Sequence, residues 1–182
     1  MCRQIMNEMK KIMFLCHGNI CRSPMAEYIM KDLVRRAGMD GMFRIGSAAV
    51  SSEETGNPIY PPALKKLKEK GIPAGDHRAH RITREEFDGY DLIVVMDRSN
   101  LSYLARIVGQ DAVSGSGKVH MLMEYACGGT SETGAPEGTP TSGRSAFRCP
   151  DVADPWYTRD FERSFEDILA GCRGLLSRNT GE

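Results

Sequence analysis

Residues 11–24 read Lys11-Ile12-Met13-Phe14-Leu15-Cys16-His17-Gly18-Asn19-Ile20-Cys21-Arg22-Ser23-Pro24. Lys11 to Leu15 is a short apolar run and reads as a buried β-strand. Pro24 suits the first turn of a helix, where a missing N–H costs nothing. A helix is predicted over Pro24 to Arg36, with Met25, Tyr28, Ile29 and Leu33 near one face. A loop between a strand and a helix N-terminus turns backbone N–H groups toward a common centre, and the helix dipole adds positive potential there. Gly18 and Asn19 suit the left-handed backbone conformations of such an anion nest. Arg22 supplies a planar fork that matches two phosphate oxygens. The stretch from His17 to Ser23, including Ile20 and Cys21, therefore reads as a site for a dianion. Cys16 stands where the strand enters the loop. A positive field favours a thiolate, and a thiolate beneath a phosphate is an in-line nucleophile. Ser23 is placed to hydrogen-bond that sulfur.

Outward from this stretch, strands and helices alternate. Strands are predicted at Phe43 to Ala48, Leu92 to Met96 and Val119 to Leu122. Helices are predicted at Pro61 to Lys70, closed by Gly71, at about Asn100 to Val108, and at about Asp160 to Leu176. Thr83 and Glu86 have capping-box spacing. The alternation predicts an α/β fold: a four-stranded parallel sheet with helices on both faces. In such sheets ligands bind at the carboxyl ends of the strands, which is where Cys16 falls.

Two segments stand apart from this pattern. Residues 1–10 read as an N-terminal extension. Cys127 to Pro150 contains 15 Gly, Pro, Ser or Thr among 24 residues, too few apolar groups to bury a core, and reads as a surface insertion. A single domain is expected over 11–178.

The 24 basic and 24 acidic side chains cancel. That balance excludes a globally basic nucleic-acid binder, so no nucleic-acid partner is expected. Arg35-Arg36 and Lys65-Lys66 read as solvated helix faces. The longest apolar runs, Ile12 to Cys16 and Leu92 to Met96, are far shorter than the ~18 residues of a spanning helix, so no membrane partner is expected. Six irregularly spaced cysteines in 182 residues read as reduced thiols of a cytoplasmic protein. A monomer or weak dimer is expected.

The segment Cys16 to Pro24 resembles the phosphate-binding loop of low-molecular-weight protein tyrosine phosphatases. Asp76-His77-Arg78-Ala79 resembles that family's His-x-Ala segment. Tyr90 to Asp97, followed by Ser99-Asn100, resembles its third strand and the turn after it. Asp154-Pro155-Trp156-Tyr157 resembles its acid loop. These motifs occur in the family's order. The resemblance implies a flavodoxin-like (phosphotyrosine phosphatase I-like) fold and hydrolysis of phosphotyrosine in protein substrates. Cys16 would attack phosphorus and form a cysteinyl-phosphate. Asp154 would protonate the leaving phenol oxygen and then act as base toward water. Arg22 and the loop amides would hold the equatorial oxygens, so neither metal nor cofactor is implied. Trp156 and Tyr157 would wall the substrate pocket. His77 would support the loop through Asn19, and Asp97 would either orient the acid loop or simply cap a helix. Cys21 would be a packed thiol or a redox partner of Cys16.

The chain departs from the family pattern in places. Ser47 to Gly56 carries Glu53, Glu54 and Thr55 where the family often has an aromatic residue. His17 occupies a position that varies in the family. Three rivals follow from the same loop. A thioredoxin-linked arsenate reductase would need cysteines after the third strand, and none lies between Asp97 and Lys118. A protein-arginine phosphatase would carry threonine in place of Ile20. A phosphocarrier would not need Asp154.

Overall fold

The structure is a computed structural model, described for residues 9–127 and 149–181. The segments 1–8 and 128–148, which include most of the expected extension and insertion, lie outside the described residues. The strands are β1 (Lys10–Cys16), β2 (Phe43–Ala49), β3 (Leu92–Val95) and β4 (Val119–Met121). The helices are α1 (Arg22–Arg36), α2 (Pro61–Glu69), α3 (Arg84–Gly89), α4 (Arg98–Val108), α5 (Gln110–Gly115), α6 (Leu122–Ala126), α7 (Pro155–Thr158) and α8 (Phe161–Thr180).

The four strands form one sheet in the order β2-β1-β3-β4, and every pairing is parallel. β1 is therefore central. It pairs with β2 along its whole length, from Lys10 opposite Phe43 to Cys16 opposite Ala49. On its other side Ile12 to Leu15 face Leu92 to Val95. Successive side chains of a strand point to opposite faces. Ile12, Phe14 and Cys16 thus pack with Met25 and Ile29 of α1 and Phe165 and Ile168 of α8. Met13 and Leu15 pack on the other side with Phe87 of α3 and Leu104 and Val108 of α4. Both faces are covered, which is why β1 and β3 read as unbroken apolar runs. Each fully buried Ile, Leu or Phe contributes ~1.5–3 kcal/mol from the area it removes from water.

The chain leaves β1 toward β2 on one side, and β3 adds on the other. The carboxyl ends of β1 and β3 therefore flank a topological switch point, the crevice where open α/β sheets bind ligands.

Three short helices, α5, α6 and α7, have no counterpart among the predicted elements. They are four to six residues long, too short for a periodic signal. α8 runs four residues beyond the predicted end, to Thr180, and Gly181 closes it in a left-handed conformation. α8 lies against α6 so closely that a Cβ on Gly174 would sit 2.1 Å from the Tyr125 carbonyl oxygen. The expectation for Lys66 is corrected: it is not a solvated charge but bridges Glu69 and Glu162 at 2.7 and 2.8 Å, tying α2 to α8.

Candidate active site

The loop from His17 to Cys21 leaves β1 at the switch point and leads directly into α1, which begins at Arg22. Its carbonyls are drawn outward. Cys16 O accepts from Val50 N, His17 O from Ser51 N, and Ile20 O from Tyr60 N, at 2.9–3.1 Å. His77 Nε2 donates to the Asn19 carbonyl at 2.8 Å. A trans peptide carries its N–H opposite its C=O. The amides of His17, Gly18, Ile20 and Cys21 are thereby turned to the inner side of the loop. A loop turned this way has the form of an anion nest.

Asn19 is the hub of the loop. Its φ of 57° is left-handed, a conformation Asn tolerates better than most residues. Its Nδ2 donates to Ser23 Oγ and Ser47 Oγ, both at 2.9 Å. Its Oδ1 accepts from His80 N at 3.3 Å. Ser47 Oγ in turn donates to the buried Glu27 carboxylate. Ser47, His80 and Glu27 were not singled out from the sequence, because each meets Asn19, directly or through Ser47, only across the fold. Gly18 does not adopt the positive φ its sequence suggested; a Cβ there would lie 3.0 Å from Glu54 Cγ, so Glu54 would have to give way slightly.

Cys16 is 3% exposed at the floor of the nest. Ser23 Oγ lies 3.1 Å from its sulfur and Asn19 N donates to it at 3.3 Å. Ser23 Oγ accepts from Asn19, and its own hydrogen has two acceptors in reach, the Cys16 sulfur at 3.1 Å and the Ala48 carbonyl at 3.4 Å. Cys21, buried against Ile20 and Ala79, differs sharply. Burial, with the negative charges of Cys16 and Asp154, pushes its thiol up to about 12. It stays protonated and is unsuited to act as a nucleophile.

Arg22 is 3% exposed and grips two carboxylates. Nη1 donates to Asp97 Oδ2 at 2.6 Å, and Nη2 donates to Asp154 Oδ2 at 2.5 Å. Burial works against its charge, but Cys16, Asp154 and Asp97 outweigh it and strengthen the guanidinium's hold on its proton. Burial likewise works against the Asp97 carboxylate. The Ser99 hydroxyl and Arg22 more than offset this and hold Asp97 below the usual carboxylate range. Of the two roles considered for Asp97, the structure shows the helix cap, and it adds a contact with Arg22. The carboxylate caps α4 in a reciprocal box with Asn100, and it anchors Arg22. Asn100 Oδ1 also accepts from Met96 N, fixing the turn after β3.

Asp154 caps α7 by accepting from Trp156 N at 3.0 Å. Its segment is pinned to the end of β3 by Val152 N donating to Met96 O at 2.9 Å. Trp156 and Tyr157 are not core residues: they are 45% and 83% exposed. Tyr60 tilts against Trp156 with centroids 5.4 Å apart, so one residue holds both the loop carbonyl of Ile20 and the pocket wall. Together these groups enclose a cavity of about 180 Å³ lined by Cys16, the loop, Arg22, Asp154, Trp156 and Tyr157. A strand-end cysteine, an inward ring of amides, an arginine bound to the loop's own helix and a distant aspartate at its second edge converge on one small space.

A model of the family described as low molecular weight phosphotyrosine protein phosphatase matches residues 11–181. The chain belongs to the low molecular weight phosphotyrosine protein phosphatase family. Among its relatives is the low molecular weight protein-tyrosine-phosphatase YfkJ of Bacillus subtilis, 31% identical over 93% of this chain and 95% of that protein. The human low molecular weight phosphotyrosine protein phosphatase is 33% identical over 93% of this chain and 95% of its own length. Crystal structures agree. YfkJ superposes with a TM-score of 0.78 over 95% of this chain and 96% of its own. The low molecular weight protein tyrosine phosphatase of Streptococcus pyogenes does so with 0.73 over 93% of each, at 33% identity. A YwlE arginine phosphatase structure also superposes, with a TM-score of 0.72 at 26% identity, over 93% of this chain and 95% of its own. The four-stranded parallel sheet with its helices matches the solved phosphatases of this family.

Cys127 and Cys149, the cysteines that would have to serve an arsenate reductase, do not line the cavity over Cys16. Among the described residues no group of three or more His, Cys, Asp or Glu is arranged to hold a metal ion. Among the same residues no helix is long and apolar enough to cross a membrane.

Proposed function

We propose that this chain hydrolyses phosphotyrosine monoesters in protein substrates through a cysteinyl-phosphate. The observation that carries the reading is that Arg22 and Asp154 meet at the mouth of the nest in which the Cys16 sulfur lies. A phosphoryl group entering the nest offers Arg22 two oxygens in place of Asp154, and Asp154, released from the guanidinium, takes up a proton from solvent and faces the leaving oxygen as the acid. The Cys16 sulfur attacks phosphorus, the S–P bond forms and the P–O bond to the phenol breaks. Asp154 gives its proton to the departing phenolate. Water, deprotonated by Asp154, then attacks phosphorus, and the sulfur leaves as a thiolate supported by the Ser23 hydroxyl and Asn19 N–H. The loop amides and Arg22 carry the charge of both transition states. A free thiolate survives in a reducing compartment, in keeping with a cytoplasmic location.

A phosphoarginine substrate is the rival, since one structural relative is an arginine phosphatase. Its guanidinium would have to lie against the apolar side chain of Ile20, which lines the cavity. The test is turnover of an aryl phosphate by the purified protein in the presence of a chelator. Cys16→Ser abolishes it and Asp154→Asn cuts it by about 10²–10⁴. Phosphotyrosine, phosphoserine and phosphoarginine peptides compared side by side decide the substrate. Faster release from phosphoarginine overturns the tyrosine assignment, and no turnover of any of them overturns the hydrolase.

A further inference from the structure

The floor and the rim of the active-site cavity carry opposite charge. The floor is positive, made of loop amides, the start of α1 and Arg22. Above it stand Glu53 and Glu54 on one side and Asp154 on the other. Glu54 lies directly on the phosphate loop, with its Cγ closing over Gly18. The one hydrogen bond to its carboxylate among the described residues is from the neutral Asn57 side-chain amide, at 2.6 Å, and no cation pairs with it among those residues. Glu53 is paired with His17 Nε2 at 3.0 Å, a partner that is charged only when protonated, and its side chain is 71% exposed.

Past His17 the cavity continues into a second depression of about 540 Å³, which shares His17, Arg22, Asp154 and Tyr157 and adds Asp97 and Asp151. The one guanidinium in this lining is Arg22, and it is already engaged by Asp97 and Asp154. Asp151 is answered by Arg98 at 2.8 Å, outside the lining. On the Gly18 side of the mouth Glu54 is the carboxylate with no cation partner among the described residues, with Glu53 beside it; on the opposite side the Arg159 guanidinium lies 5.8 Å from the Trp156 ring centre and donates to Tyr60 Oη.

We infer that Glu53 and Glu54 select phosphotyrosines with a lysine or arginine beside them in the substrate chain. The inference rests on the phosphatase reading and names the class of peptide the same site prefers. A phosphotyrosine deep in the nest places its neighbouring side chains at the rim. There a cation meets an unpaired carboxylate, and an acidic neighbour meets repulsion. Half-exposed charges of this kind are worth little each and are screened by salt. The expected effect is therefore moderate: about a fivefold higher kcat/KM for a Lys-flanked than a Glu-flanked peptide at low salt.

The experiment measures kcat/KM for three phosphotyrosine peptides that differ only in having Lys, Ala or Glu on both sides of the phosphotyrosine. Each is run at low salt and at high salt, with p-nitrophenyl phosphate as a substrate that has no flanks. The expected order is Lys above Ala above Glu, narrowing at high salt. Glu53→Gln combined with Glu54→Gln flattens the order, and Glu54→Lys inverts it. A merely structural role for these residues does not invert a charge preference. Turnover of p-nitrophenyl phosphate with no peptide preference in the wild type overturns this inference and leaves the phosphatase standing. No turnover of p-nitrophenyl phosphate overturns both. A Lys preference that survives the double substitution removes the assignment to Glu53 and Glu54. If a variant fails to fold, the wild-type order and its salt dependence still decide whether the rim selects cations.

Discussion

Arg22 Nη2 donates to the Asp154 carboxylate across 2.5 Å, although 132 positions separate the two residues. This contact joins the start of α1, and so the phosphate loop, to the segment that precedes α8. It also puts Asp154 in competition with a bound dianion for one edge of the guanidinium.

Asp154→Asn should therefore separate binding from chemistry. Removing the acid lowers kcat for aryl phosphates by about 10²–10⁴. Removing its negative charge relieves the competition for Arg22, so inhibition by inorganic phosphate is expected to be as tight as in the wild type or tighter. Steady-state kinetics with phosphate as a competitive inhibitor check both effects, and weakened inhibition contradicts the competition.

Alkylation should distinguish the two loop cysteines. The Cys21 thiol is pushed up to about 12 by burial and by its negative neighbours, whereas Cys16 is the proposed nucleophile. Iodoacetamide at pH 7 is expected to modify Cys16 and inactivate the protein while Cys21 stays unmodified. Mass spectrometry of the digested protein reads this directly, and inorganic phosphate is expected to slow the reaction. Early modification of Cys21 would contradict the assignment.

Asn19 combines backbone strain with a side-chain hub, and two substitutions separate them. Asn19→Gly accepts the left-handed φ but loses the bonds to Ser23, Ser47 and His80 N. Asn19→Ala loses the bonds and adds strain. Each lost buried bond costs about 1 kcal/mol. Asn19→Gly is therefore expected to lower stability by about 1–3 kcal/mol, and Asn19→Ala by more. Urea denaturation gives the stabilities, and both variants should lose kcat/KM because the hub also sets the Ser23 hydroxyl.

The Asp97–Arg22 pair predicts a pH dependence with a definite sign. Asp97 is held below its ordinary value in the folded chain, so the unfolded chain binds its proton first as pH falls. Its contribution is full above the unfolded pKa of about 3.9 and is lost as pH drops through the lower folded value. Asp97→Asn should therefore be less stable than the wild type at pH 7, with the gap closing below about pH 4. Urea midpoints at pH 7, 5 and 3 test it; a gap that widens on acidification refutes the pairing.

Much of this site was legible in one stretch of chain. Cys16, Arg22 and the loop between them are contiguous, so strand, nest and helix start follow from local rules. Asp154, Trp156 and Tyr157 were reached by resemblance to a motif, because an Asp-Pro pair by itself signals only a turn. Ser47, His80, Glu27 and Tyr60 were missed. Each is an ordinary residue in its own element, and its role exists only where that element meets the loop. The same holds for Lys66, whose helix face looks solvated until α8 supplies Glu162.

By itself the sequence determined the strand-to-helix alternation, the buried strands and the strand–loop–helix unit that carries Cys16 and Arg22. These depend on periodicity, capping and turn preferences within a few residues of each other. Only the tertiary structure decided which carboxylates share Arg22, that Gly18 packs closely under Glu54, and that Glu53 and Glu54 stand over the nest. Those are contacts between segments tens of residues apart. They arise when β1 becomes the central strand and the ends of β1 and β3 are brought side by side, a pairing that no local pattern encodes.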